Sequence, residues 1–330
     1  MIRLKIWRSE SLSPYENLAA ERYLTESVGK DEMILMLWRN DKTVVIGRNQ
    51  NCWKECRVSE LMSDGGRIAR RYSGGGAVYH DGGNLNFSFI APEGIYDIPA
   101  QLSVIAAACA RHGINAAVSG RNDILANGAK FSGNAFYSVK GTDGIVRSCH
   151  HGCILICADT GNMERYLNVS KEKLRSKGVD SVRSRVVNLA SLSDSITPES
   201  LACSLEGAFC EIMGGNAEPL DPKNEGRERI EELCRELSSD EWIFGRRIDF
   251  TDSFGKRFGW GEIELCFEVS GGMVKSCKVF SDSMDPELAD RVSSLFTGKP
   301  FSAAALSEAA ESALPMEIAK DVGVLLKENI

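Results

Sequence analysis

The chain has 330 residues, 43% of them hydrophobic, which is enough to bury the core of one large domain and a smaller one. Its net charge of −7 excludes a general nucleic-acid binder and favours a mildly acidic enzyme with a local basic cleft. No apolar run reaches the ~18 residues of a membrane span, and the N-terminus lacks the apolar run of a signal peptide. Eleven cysteines, an odd number spread through the chain, predict reduced thiols and a cytoplasmic protein.

The first elements of the chain are short strands around one helix. Leu4 to Trp7 predicts an edge strand, and Ser13-Pro14 predicts the start of a helix, because proline is favoured in the first helical turn. Two apolar runs flank the turn signal Asn40-Asp41 and predict a hairpin, with strands at 33–38 and 43–46.

The most informative stretch of the sequence runs from Ile68 to Ile90, IARRYSGGGAVYHDGGNLNFSFI. Gly74 to Gly76 can adopt backbone angles closed to other residues, so consecutive N–H groups can turn toward one anion. Arg70 and Arg71 add planar cations that fit phosphate or carboxylate. A glycine-rich turn with a solvated arginine pair is the alternative, and the flanking residues favour the anion site.

Two familiar phosphate motifs do not fit this stretch. A P-loop requires Lys and then Ser or Thr after its last glycine, whereas Ala77-Val78 follow here, and the dinucleotide fingerprint requires glycine where Tyr79 stands. Both motifs also open a helix, whereas Asn84 to Ile90 alternates with period two and predicts a strand.

The remaining elements predict an α+β fold with a mixed, largely antiparallel sheet, because strands come in runs and do not alternate with helices. A composition shift over Gly214 to Asn224 precedes a charged helix at 225–237. Strands within 258–280 and helices after Pro286 predict a small α+β accessory domain. The predicted domains are residues 1–245 and 246–330.

Two polar segments in the larger domain are further candidates for a site. Ser119 to Asp123 is a polar turn in which Arg121 could bind an anion and Asp123 could bind a metal or order Arg121; a solvated turn is the open alternative. Lys130 precedes alternating residues, which predicts a strand with Ser132 and Asn134 on the same face. Lys130 could place a point charge at an acyl-phosphate oxygen. The alternative is a solvent-exposed lysine of the sheet without a function in catalysis.

A third segment, Cys149-His150-His151-Gly152-Cys153, contains two of the four histidines. Zinc is disfavoured, because a second Cys-x-x-Cys or His pair is missing and a strand would turn His150 away from the other three side chains. We therefore expect His151 and Gly152 to line a cleft and the cysteines to belong to the core.

Taken together, these motifs resemble those of the bacterial two-domain lipoate–protein ligases, within the biotin/lipoate ligase superfamily. The matching segments extend over nearly the whole chain. They are Asn17–Glu21, Leu37–Asn40, Val44–Arg48, Arg70–Asp81, Ser119–Asp123, Lys130–Ala135, His151-Gly152, Ser181–Arg185, Glu241-Trp242 and Phe258–Gly261.

The resemblance implies an enzyme that converts lipoate and ATP into lipoyl-AMP, with release of pyrophosphate. The enzyme would then transfer the lipoyl group to a lysine of lipoyl domains, in the E2 subunits of 2-oxo acid dehydrogenase complexes and the glycine cleavage H protein. It also implies Mg²⁺ and a monomer, with no nucleic-acid or membrane partner.

The site residues that follow from the resemblance and the motifs fall into four groups. Lys130 is the expected catalytic residue. ATP is expected at Arg71, Gly76, Ala77, Val78, Tyr79 and Lys130. Lipoate is expected at Lys130, Arg70, Ser73, Gly75 and His151. Asp123 is the candidate contact for Mg²⁺.

Three alternatives remain open. An octanoyl or lipoyl transferase of the same fold would use no ATP and a cysteine nucleophile, for which Cys149 and Cys153 are the candidates. A biotin ligase is disfavoured, because its arginine- and glycine-rich loop differs from the corresponding stretches of this chain. A non-catalytic module that binds lipoyl carriers is disfavoured because the regions around Lys130 and Arg71 are intact.

Overall fold

The computed structural model describes residues 2–120, 122–168, 186–244 and 251–330. Arg121 and the Ser181–Arg185 motif lie outside the described residues. The fold is α+β, as predicted, with an N-terminal domain and a C-terminal accessory domain. The strands of the described parts are β1 Arg3–Arg8, β2 Glu32–Trp38, β3 Thr43–Ile46, β4 Arg67–Arg70, β5 Val78–His80, β6 Asn84–Pro92, β7 Ala116–Ser119, β8 Asp123–Ala126, β9 Ala129–Lys140, β10 Val146–Leu155, β11 Ala217–Pro219, β12 Asp252–Phe258, β13 Gly261–Ser270 and β14 Met273–Ser281.

The helices lie between and after these strands. They are α1 Pro14–Ser27, α2 Cys52–Glu55, α3 Val58–Ser63, α4 Ile98–Ala110, α5 Thr160–Tyr166, α6 Pro198–Met213, α7 Lys223–Leu237, α8 Asp240–Phe244, α9 Leu288–Phe296, α10 Ala303–Ala313 and α11 Met316–Asn329, with short 3-10 turns at Glu93–Ile95 and Leu189–Ser191. None of the helices that the structure describes has the length and apolar character to cross a membrane.

The chain divides into two compact units. Unit 1 contains 1–45, 53–70 and 77–243, and unit 2 contains 46–52, 71–76 and 244–330. The predicted boundary at 245/246 falls in 245–250, outside the described residues, and stays a prediction.

An eight-stranded sheet forms the centre of unit 1, in the order β11-β1-β2-β6-β10-β9-β8-β7. Strand β1 pairs in parallel with both β2 and β11. All the other neighbours in this order, from β2 across the sheet to β7 at its edge, pair antiparallel. β6, buried along its whole length, lies between β2 and β10. The sheet is therefore mixed and largely antiparallel, as predicted.

The two faces of this sheet carry different side chains. Phe87 and Phe89 of β6 pack into the main apolar cluster with residues of α4 and α6, including Phe209 at 6.0 Å between ring centroids. Successive strand residues point to opposite faces, so Ser88 points to α1, where its hydroxyl reaches Glu21. The face toward α1 is the polar one.

Helix α1 begins where the sequence predicts. The Ser13 side chain accepts from the Glu16 N–H, and Pro14 occupies the first turn. Three polar residues at i, i+4 and i+8, Asn17, Glu21 and Thr25, are all buried on one side of the helix. The polar face of the sheet therefore meets a polar stripe of the helix.

Two local predictions are wrong. β1 is not an edge strand, because β11 pairs with its outer side. The 33–38 and 43–46 strands do not form a hairpin, because both sides of β2 are taken by β1 and β6. β3 instead forms a separate sheet in the order β4-β3-β5.

Unit 2 has its own core. The antiparallel sheet β12-β13-β14 packs with α9, α10 and α11 around Phe267 and Phe296, whose ring centroids lie 6.1 Å apart. This confirms the predicted strands within 258–280 and the helices that follow them.

The glycine loop at 71–76 contacts two other segments of unit 2. The Gly75 N–H donates to the Ser283 carbonyl at 2.8 Å, and the Arg48 N–H donates to the Ser73 carbonyl at 2.9 Å. A Cβ at Gly74 would lie 2.3 Å from the Ser283 carbonyl oxygen, and one at Gly47 would lie 2.1 Å from the Gly75 carbonyl oxygen. The backbone approach in this unit therefore requires glycine.

We expect Gly74→Ala to destabilise the protein. The added methyl group would meet main-chain atoms of Ser283 and Met284, which cannot rotate away, so overpacking should cost about 1–3 kcal/mol. Gly82→Ala is the matched control, because a Cβ there meets no atom within 4 Å. Thermal unfolding should show a lower Tm for the first variant only; an unchanged Tm would contradict this packing.

Candidate functional site

Lys130 and Asp123 form an ion pair in unit 1. The Lys130 Nζ lies 2.6 Å from Asp123 Oδ1, and the side chains are 20% and 14% exposed. Lys130 belongs to β9 and Asp123 to the adjacent β8. The Lys130 carbonyl also accepts from the Val187 N–H at 2.8 Å, which holds the backbone of β9 at this point.

A register shift in β9 decides the direction of Lys130. Leu125 pairs with Lys130 but Ile124 pairs with Ser132, so Phe131 is an extra residue in β9. The Lys130 side chain therefore lies over Gly133. Asn134 points to the opposite face and contacts His150. The predicted common face for Lys130, Ser132 and Asn134 is wrong, since a bulge reverses the alternation.

His151 is held by a buried carboxylate on the α1 face of the sheet. Its Nδ1 lies 2.8 Å from Glu21 Oε2, and both side chains are almost fully buried. The Ser88 hydroxyl donates to Glu21 Oε2 at 2.5 Å, and the Trp38 Nε1–H donates to Ser88 at 3.0 Å. A chain of hydrogen bonds thus fixes the Glu21 carboxylate and the ring of His151.

The side chains of the motif around Cys149 point to opposite faces of the sheet, as predicted. Cys149 and His151 lie with Glu21 on one face, where their ligand atoms are all within 4.8 Å of one another. The 2.8 Å separation between His151 and Glu21 is a hydrogen bond, which accounts for this grouping without zinc. His150 faces the other way, toward Gln101 and Asn134. Its pKa is lowered to about 3, chiefly by burial, so the ring is neutral near pH 7.

The two candidate thiols lie in environments that suppress the thiolate. Burial raises the pKa of Cys153 to about 12, although the Asn84 amide donates to its sulfur at 2.9 Å. Burial and the nearby Glu21 raise the pKa of Cys149 well above its usual value. All eleven cysteines are free of disulfides.

Arg70 is bound to the main chain within unit 1. Its guanidinium donates to the carbonyl groups of Trp242 and Ile243 at 2.6–3.1 Å, and the Trp242 indole donates to the Arg70 carbonyl at 2.8 Å. Its predicted contact with lipoate stays a prediction.

Arg71 and the glycine loop belong to unit 2. The Arg71 guanidinium donates to the Ser73 hydroxyl at 2.9 Å and to the carbonyl groups of Gly74 and Gly76 at 2.7 and 2.8 Å. These bonds hold the loop in a compact form around the cation. Binding of phosphate by this loop stays a prediction.

The residues after the glycine loop return to unit 1. Ala77 and Val78 are half-buried, and Val78 begins β5. Tyr79 is buried beside Tyr166, with the ring centroids 5.7 Å apart, and burial raises its pKa. Their contact with ATP stays a prediction.

The surroundings of Asp123 bear on its expected contact with Mg²⁺. Mg²⁺ prefers octahedral oxygen ligands, with one or two carboxylates added to substrate phosphates. The Lys130 ammonium already lies 2.6 Å from Asp123 Oδ1, so a metal there would compete with it. Among the described residues, Asp123 belongs to no group of three metal-type ligands. Its contact with Mg²⁺ stays a prediction.

Sequence reasoning did not assign a role to Glu21. Its signal is present, because Asn17, Glu21 and Thr25 recur at helical spacing on the same side as Leu18 and Leu24. Polar residues that repeat on a buried helix face require partners. Those partners, Asn40, His151 and Tyr137, come from distant segments and cannot be read from the helix alone.

The chain matches two protein-family models. The model of the lipoyl protein ligase A/B catalytic domain matches residues 13–210, and the model of the bacterial lipoate protein ligase C-terminus matches residues 247–323. Two relatives are lipoate-protein ligase A of Blochmanniella floridana, 35% identical, and that of Psychrobacter cryohalolentis, 37% identical. The matches cover 92% and 88% of this chain and 90% and 86% of the relatives.

Solved structures show the same likeness. The Plasmodium falciparum protein LipL1 in complex with lipoate is 27% identical, with a TM-score of 0.85 over 100% of both chains. A bipartite lipoate protein ligase of Thermoplasma acidophilum, studied with its E2 lipoyl domain, is 27% identical, with a TM-score of 0.61 over 75% of this chain and 98% of that one. A lipoate-protein ligase A bound with ATP is 25% identical, with a TM-score of 0.60 over 74% of this chain and 98% of that one.

The pKa of Cys153 predicts a slow reaction with alkylating reagents. At pH 8 a thiol with a pKa near 12 is ionised in about one molecule in 10⁴, and the rate should rise about tenfold per pH unit above that. Iodoacetamide labelling at several pH values, followed by peptide mass spectrometry, measures this rate. The exposed Cys157 is the internal comparison. A Cys153 rate that levels off below pH 9 would show that the thiol ionises normally.

Proposed function

The chain belongs to the lipoate–protein ligase family and is a ligase, and from this premise we propose that it activates lipoate with ATP and transfers the lipoyl group to a lysine of a lipoyl domain. The observation that carries the proposal is the Lys130–Asp123 pair, which holds a half-buried ammonium within a motif of this family.

The proposed reaction has two steps. In the first, a lipoate carboxylate oxygen attacks the α-phosphorus of ATP, the bond between the α-phosphorus and the bridging oxygen breaks, and pyrophosphate leaves. In the second, a neutral lysine amine of the acceptor attacks the acyl carbon, the bond to the phosphate oxygen breaks, and AMP leaves while the amine loses a proton. Both steps build negative charge on oxygen atoms around the acyl group and the α-phosphate.

Lys130 is proposed to neutralise that charge. A carboxylate and a phosphate repel one another, so a fixed cation between their oxygens lowers the barrier for the first step and stabilises the oxyanion of the second. The ion pair with Asp123 supports this role, because it restricts a side chain that is otherwise highly flexible. The acyl phosphate is already activated, so the mechanism requires no protein nucleophile.

The remaining assignments rest on the resemblance. Arg71 and the loop at 76–79 are proposed to bind ATP, and Arg70, Ser73, Gly75 and His151 to bind lipoate. For His151 the hydrogen bond to Glu21 gives support, since it fixes the orientation of the ring. Mg²⁺ is proposed to accompany the ATP phosphates, and no step above depends on a protein ligand for it.

The proposed acceptors are lipoyl domains of 2-oxo acid dehydrogenase complexes and the glycine cleavage H protein. The relative from Thermoplasma acidophilum, which has an E2 lipoyl domain as its partner, supports the first class. The ATP-bound relative supports ATP as the activating substrate. A monomeric, cytoplasmic protein remains our expectation.

The order of the chemical steps tests the proposal. With ATP and lipoate alone, pyrophosphate should form up to about one equivalent per enzyme before any acceptor is added, because lipoyl-AMP stays bound. Addition of a lipoyl domain should then start continuous turnover. A coupled pyrophosphate assay measures both phases. Acyl transfer from an acyl carrier without ATP, and no pyrophosphate burst, would instead indicate the transferase that uses Cys149 or Cys153.

Substitutions of Lys130 test its role in both steps. Lys130→Ala should slow adenylation and transfer from supplied lipoyl-AMP by roughly 10²–10³-fold each, the loss expected for one donor to a developing oxyanion. Lys130→Arg should recover little, because a planar fork cannot place a point charge between two oxygens. Single-turnover kinetics of each half-reaction provide the measurement.

Arg71→Ala is the comparison for Lys130→Ala. It should weaken adenylation more than transfer, because the β- and γ-phosphates have left before the second step. Near-normal rates of Lys130→Ala in both steps would show that the lysine has only a structural role.

A further inference from the structure

We infer that Gly133 is a positioning residue for Lys130, because the absence of a side chain at Gly133 leaves the space through which the ammonium reaches Asp123. This inference rests on the proposed function of Lys130. It concerns a residue in the same motif for which no contact with a substrate is required.

The register of the strands explains the arrangement. Asp123 of β8 lies directly opposite Gly133 of β9, while Lys130 comes three residues earlier in β9. The extra residue Phe131 turns the Lys130 side chain onto the face of Gly133. To reach Asp123, the lysine side chain must therefore pass over Gly133.

The space over Gly133 is filled by the end of that side chain. A Cβ at Gly133 would lie 2.7 Å from Lys130 Nζ and 3.0 Å from Lys130 Cε. Both separations are shorter than a van der Waals contact between carbon and these atoms. Any side chain at this position would displace the ammonium from Asp123 Oδ1, now at 2.6 Å.

Such a displacement of the Lys130 ammonium should change the free energy of unfolding little and lower the reaction rates strongly. The only atoms that an added methyl group meets within 4 Å belong to the flexible end of Lys130, and Gly133 does not have a positive φ. The side chain can rotate away, so the fold is kept. A misplacement of a reacting group by about 1 Å is enough to reduce a rate by 10²-fold.

Gly152 provides a useful contrast on the neighbouring strand. A Cβ there would lie 2.5 Å from Phe87 Cζ and 2.8 Å from the Gly133 carbonyl oxygen, which are core and backbone atoms. Alanine at Gly152 therefore damages packing, whereas alanine at Gly133 moves a functional side chain. Glycine is therefore required at these two positions for different physical reasons.

The test is a double-mutant cycle with Gly133→Ala, Lys130→Ala and the double variant, measured in both half-reactions with their Tm values. Gly133→Ala should slow both steps about 10–100-fold, with a Tm within about 2 °C of the parent. In the Lys130→Ala background the same change should have less than about a threefold effect, because the group it displaces is absent. Gly94→Ala, where a Cβ meets no atom within 4 Å, should leave rates and Tm unchanged.

Each outcome separates this inference from the proposed function. If Lys130→Ala retains normal rates, the proposed function fails. If Lys130→Ala is slow but Gly133→Ala is normal, or if Gly133→Ala is equally harmful without Lys130, the positioning role of Gly133 is overturned. A large fall in Tm for Gly133→Ala also overturns it, since the geometry assigns the cost to the lysine and not to the fold. A crystal structure of Gly133→Ala should show Lys130 Nζ beyond hydrogen-bond distance of Asp123.

Discussion

Both groups of candidate site residues depend on close contacts at glycine positions that a Cβ would not permit. In unit 2, Gly47 and Gly74 lie against carbonyl oxygens of Gly75 and Ser283. In unit 1, Gly133 lies under the Lys130 side chain. Glycine is costly in a strand or loop because it loses the most freedom on folding, and its use here is explained by these close contacts. These close contacts therefore constrain the geometry of each group.

The second organising feature is the alternation of β10. Three consecutive residues point in turn to α1, to α4 and to α1, so Cys149 and His151 share one environment and His150 another. The imidazole against α1 is bound to a carboxylate, and the one against α4 is bound to neutral amides. Two neighbouring histidines therefore have different hydrogen-bond partners, although their side chains have the same chemistry.

The sequence was sufficient to predict the α+β class, the position of most elements and the separation of His150 from its neighbours. These depend on local periodicity, which a strand or helix shows within a few residues. It was not sufficient to predict the direction of Lys130, because the bulge at Phe131 arises from the register with β8. The false hairpin between 33–38 and 43–46 has a similar cause. Its turn signal is real, but β6 occupies the side of β2 that β3 would need. Non-local pairing decided each of these points.

The hydrogen bonds of Arg70 have a consequence for dividing the chain into fragments. Arg70 is buried, and its guanidinium donates to the carbonyl groups of Trp242 and Ile243, in the short helix that ends unit 1. A buried guanidinium that loses such acceptors is expensive to keep in a folded protein. A catalytic fragment truncated at the end of the family-model match, residue 210, would lack these acceptors. A fragment that keeps these acceptors for Arg70 therefore has to extend through residue 243.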